Sequence, residues 1–79
     1  MVIKKSIIET MLQAGKAPPV IPGIPKEHIA VLMMKYYHPL MQQNRKKEAQ
    51  MALLSAFVKY NMGHVTVEDR ADEYCVVEK

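Results

Sequence analysis

Ala49-Gln-Met-Ala-Leu-Leu-Ser-Ala-Phe-Val-Lys-Tyr-Asn-Met62 is apolar almost all the way around a helix. Ala49, Ala52, Leu53, Ala56, Phe57 and Tyr60 recur at the i, i+3, i+4, i+7 spacing and form one stripe. Met51, Leu54, Val58 and Met62 form a second stripe on another side. Gln50, Ser55, Lys59 and Asn61 interrupt the pattern but do not line up as a solvated face. A helix apolar on most sides has to be covered on most sides. A chain of 79 residues holds one domain and few elements to do the covering. Self-association is therefore expected, most simply as a dimer, with Met51, Leu54, Phe57, Val58 and Met62 at the interface. Gly63 is a good stop signal for this helix.

Upstream, Leu40 continues the helical pattern through a polar start, Gln42 to Glu48. Before it, Glu27 to Tyr37 reads as another helix, with Pro25 suited to its first turn and Glu27 favourable against the helix dipole. His38-Pro39 interrupts this run, because a residue before proline avoids the α region. With almost no loop available, a sharp bend or kink is expected there.

Residues 15–25 hold four prolines and two glycines. They read as an extended connector whose Val20, Ile21 and Ile24 lie on the core or on a neighbouring subunit. Residues 2–14 read as a short amphipathic helix, with Ile3, Ile7, Ile8, Met11 and Leu12 on one side and Gly15 placed to end it.

Residues 64–79 form an acidic C-terminal element with two readings. Thr66-Val-Glu-Asp69 resembles a capping box, and a helix from there places Val67, Ala71, Tyr74 and Cys75 on one side. Alternatively Val65-Thr-Val67 and Tyr74-Cys-Val-Val77 are strands around an acidic turn, as their β-branched residues favour. A lone two-stranded hairpin is marginal without support, so the helix is preferred. The expected fold is all-α: residues 1–79 form one small helical bundle with a Pro-rich connector and a bent central hairpin, completed by homo-oligomerisation.

Formal net charge is +3, divided as +5 over residues 1–50 and −2 over residues 51–79. That asymmetry can steer subunits together or draw an acidic partner to the first half. Cys75 is the only cysteine, so no intrachain disulfide forms and a reducing, cytoplasmic setting is expected. No run of the sequence is long and apolar enough for a membrane span.

The chemistry-bearing residues are scattered. His28, His38 and His64 fall in different elements with no H-x-x-x-H pair, so no metal site or cofactor is expected. Ser6 and Ser55 lie within helices, and Cys75 stands among carboxylates that raise a thiol pKa, so no activated nucleophile is evident. An enzyme is not expected. Three function classes remain. The first is a non-enzymatic binding protein, a regulator or inhibitor occupying a partner protein's surface, of the general character of small phage or mobile-element proteins. The second is a nucleotide or nucleic-acid binder using Tyr36, Tyr37, Arg45, Lys46 and Lys47, where rings stack on bases and cations meet phosphate. A structural subunit of a larger assembly is a third possibility. An acidic Val67–Val77 helix argues against helix-turn-helix DNA recognition.

Overall fold

A computed structural model of the chain describes residues 1–14 and 19–79. Its elements are β1 (Val2–Lys4), α1 (Lys5–Gln13), α2 (Lys26–Leu32), a π-helical segment (Met33–Tyr37), α3 (His38–Gln42), α4 (Lys46–Asn61), β2 (Val65–Asp69) and β3 (Glu73–Glu78). From α2 to α3 the chain runs on as one helical stretch, so three helices face one sheet.

The protein is mixed α/β, which corrects the all-α expectation. The C-terminal element is a hairpin, β2–β3, and not a helix. Val65, Val67, Tyr74 and Val76 are buried at every second position, while Ala71 of the helical alternative lies exposed in the turn. The support that a lone hairpin lacks comes from the other end of the chain. Residues 2–4 leave the predicted N-terminal helix and pair antiparallel with β3, Val2 opposite Cys75 and Lys4 opposite Glu73. The sheet order is β1-β3-β2, with β3 central. Ile3 adds to the apolar face made by the hairpin, and the helices cover it. Three strands with one covered apolar face are stable where two are not.

Ile8, Ile29, Val31, Leu32 and Val65 are fully buried, and Phe57 and Ile24 join them. A core thus closes within one copy of the chain. Of the apolar residues expected on one side of the first helix, Ile8 is buried, Met11 and Leu12 pack against the core, and Ile7 is exposed. The role given to Gly15 lies outside the described residues, as does the connector over 15–18. Beyond it, Ile21 to Ile24 close a turn with Pro22 second and Gly23 third. Gly23 has φ +85°, the left-handed geometry that a type II turn demands there. Ile24 is buried and Ile21 half-buried, but Val20 is almost fully exposed, so of the two places expected for it the core of its own chain is not the one.

His38-Pro39 does not reverse the chain. His38 keeps α geometry, and its N–H donates to Met33 O, five residues back. Proline lacks an N–H and its ring crowds the carbonyl four residues earlier. The wider π turn accommodates both, and helix resumes at once. The reversal comes later, at Gln43–Arg45, inside a stretch expected to stay helical. Asn44 takes φ +59°, while its N–H bonds Met41 O and the Arg45 N–H bonds Leu40 O, which is a Schellman ending with Asn in the glycine position. Gly63 ends α4 the same way, as expected: its N–H bonds Tyr60 O, and His64 N–H bonds Lys59 O at 2.8 Å.

Candidate docking face

The two stripes of α4 separate cleanly in the fold. Ala49, Ala56 and Phe57 are buried, and Leu53 and Tyr60 pack against the core beside them. The second stripe faces outward, with Met51 67%, Leu54 58%, Val58 57% and Met62 64% exposed. Of the five residues expected at an oligomer interface, Phe57 alone is internal, 9% exposed in the core of its own chain. The other four run along α4 at i, i+3, i+7 and i+11. Together they present on the order of 400 Å² of apolar surface, a size at which patches on monomers acquire binding roles.

Tyr36, Tyr37, Arg45, Lys46 and Lys47 do not come together as one site. Arg45 pairs with Glu48 and reaches Gln43 at 3.2 Å. Lys46 and Lys47 are exposed on the first turn of α4, beside a shallow hollow lined by residues 44–48. Tyr36 points elsewhere: its hydroxyl donates to Glu78 Oε1, which also accepts from Lys35 Nζ at 2.9 Å. Burial first, and this carboxylate second, push the Tyr36 phenol well above its ordinary range. The Tyr36 and Lys35 hydrogen bonds hold Glu78 below the usual carboxylate value. This trio fastens the end of β3 to the π turn. Tyr37 is half-buried, its ring 5.9 Å from that of His38.

A second polar cluster escaped sequence reasoning because its members are far apart in the chain. His28 Nδ1 lies 2.7 Å from the Tyr60 hydroxyl, and the His28 ring meets Tyr60 and Tyr74 edge-on at 6.0 and 6.1 Å. Lys5 sits 5.2 Å over the Tyr74 ring and pairs with Asp69. Burial pushes the His28 pKa below its ordinary value, with Asp69 and Glu27 pulling partly the other way. Burial also raises the phenols of Tyr60 and Tyr74. One residue from each of α1, α2, α4, β2 and β3 thus meets here. Sequence spacing gave no sign that His28 would meet two tyrosines; only the fold brings them to its ring.

An apolar hollow of about 230 Å³ is lined by Leu12, Pro19, Val20, Ile21, Ile24, Lys26 and Ile29. Cys75 is a free thiol, half-buried on the sheet face opposite the helices. Among the described residues no group of three His, Cys, Asp or Glu side chains is placed to hold a metal ion, and no helix is long and apolar enough to cross a membrane. Compared with known protein families, with curated proteins and with solved structures, the chain matches none.

Proposed function

We propose that this is a non-enzymatic binding protein that acts by occupying the surface of a partner protein through the outer face of α4, as a small regulator or inhibitor does. The observation that carries this is the exposed stripe Met51, Leu54, Val58 and Met62 on a well-anchored helix. Scattered exposed apolar side chains need no explanation, but a contiguous row of four does. Two of the four are methionines, whose flexible thioethers adapt to a partner's shape. Core packing on one side and the Gly63 cap hold α4 in place, so little ordering entropy opposes docking. A single half-buried cysteine suits a reducing, cytoplasmic setting.

The nucleotide-binding alternative needs Tyr36 and the basic turn in one pocket, and Tyr36 is instead committed to Glu78. The test is capture from source cells with immobilised wild-type protein and with a Leu54→Glu/Val58→Glu variant. Each captured protein is then purified and rebound alone. A partner that rebinds wild type and not the variant supports the proposal. Equal binding to both sinks it. A partner lost instead on Lys46→Gln/Lys47→Gln, with affinity falling steeply in salt, favours the phosphate reading.

A further inference from the structure

We infer that the occupant of the α4 face is an acidic amphipathic helix of the partner; this rests on the docking role proposed above. The stripe is a straight ridge about 16 Å long, at 1.5 Å per helical residue from Met51 to Met62. A ridge of one-turn spacing is matched by a second helix lying alongside with its own i, i+3, i+7 anchors.

Charge selects the kind of helix. Between residues 28 and 67 the chain has one carboxylate, Glu48, against Lys35, Arg45, Lys46, Lys47 and Lys59. Glu48 is engaged by Arg45, and Lys35 by Glu78. Lys47 lies one turn before Met51, in line with the stripe, and Lys59 lies just short of one turn before Met62, on its flank. Both lysines are exposed, and neither joins an ion pair among the described residues. The apolar row thus has an exposed cation near each end, Lys59 also lying in the field of Glu78, and its one flanking acid, Glu48, is taken up by Arg45. A partner helix with apolar anchors and carboxylates about three turns apart satisfies all of these groups at once.

A second copy of this chain does not. It brings the same two lysines and no carboxylate beyond Glu48, which Arg45 already engages, so like charges would meet along one seam. A lipid surface is served less well still, because the stripe has no aromatic residue of the kind that anchors interfacial helices.

The experiment uses two fluorescein-labelled peptides of about five helical turns. Both carry leucines at the same helical spacing; one has glutamates and the other lysines at the remaining charged positions. Anisotropy titrations with the full chain should show the acidic peptide binding roughly tenfold or more tightly than the basic one. Lys47→Glu/Lys59→Glu should reverse that preference, and Leu54→Glu/Val58→Glu should remove both interactions, each variant keeping the wild-type circular dichroism. Three results would overturn the inference: no charge preference, a peptide-free dimer in sedimentation that Leu54→Glu dissolves, or flotation with phosphatidylserine vesicles in place of peptide binding. Its failure is separable from failure of the docking role. If the acidic peptide does not bind while the Leu54→Glu/Val58→Glu variant still loses the captured partner, the face stands and only its occupant changes.

Discussion

The two sides of α4 are nearly equal in hydrophobicity and opposite in fate. The inner side, Ala49, Leu53, Ala56, Phe57 and Tyr60, with Ala52 half-buried beside them, packs on the α2–α3 stretch and β2. The outer side, Met51, Leu54, Val58 and Met62, meets solvent. Side-chain size separates them. Three alanines let α4 approach its neighbours closely, and Phe57 and Leu53 fill the space that remains. The outer residues are all large and leave a ridge with nothing against it. Apolar character alone therefore does not say which face of a helix a small fold will bury; the pattern of small residues does.

Replacing one residue on each side tests this contrast hardest. Phe57→Ala should cost about 3–5 kcal/mol, as truncation of a buried ring does, read as a large fall in the urea midpoint. A cost under about 1 kcal/mol would mean that the inner face is not the core. Next comes the cap that sets where both stripes end. Gly63 has φ +79° and nothing close to where a Cβ would stand. Gly63→Ala should therefore destabilise by about 1–2 kcal/mol through backbone strain alone, measured by thermal melting.

Burial of His28 makes the inner face sensitive to pH. Burial holds the folded-state His28 pKa below that of the unfolded chain. The unfolded state then binds more protons between the two values, so stability is full above about pH 6.5 and is lost as pH falls through the folded pKa. His28→Gln should flatten this part of the stability profile; an unchanged slope would show that His28 is not its source. The smallest effect belongs to the outer face. Leu54→Ala should shift stability by no more than about 0.5 kcal/mol, the usual range for surface sites. A loss near that of Phe57→Ala would show the outer stripe buried in solution.

Several features were legible because they are local. The helical character of Lys46–Asn61, its Gly63 ending and the second apolar stripe follow from spacing and from one glycine. The reversal at Gln43–Arg45 was less visible, because asparagine supplies left-handed geometry less often than glycine. At His38-Pro39 a sharp bend or kink was expected; the chain instead takes a π turn, which lets the helix absorb a proline that local rules treat as a stop. The tail was misjudged for a long-range reason: both periodicities fit it, and its third strand comes from Val2–Lys4. Of the proposed Tyr36, Tyr37 and Arg45–Lys47 group, nothing in the spacing revealed that Tyr36 would find Glu78.

By itself, then, the sequence determined that residues 46–61 are helical, where that helix ends, and that it carries two apolar stripes, because these depend on side chains within a few turns of one another. Tertiary structure alone decided that the tail is a hairpin, that Phe57 turns inward while Met51, Leu54, Val58 and Met62 turn outward, that His28 finds Tyr60 and Tyr74, and that Glu78 finds Tyr36. Those outcomes depend on which distant segment arrives to bury a face or accept a hydrogen bond, and a partner far along the chain leaves no mark on local periodicity.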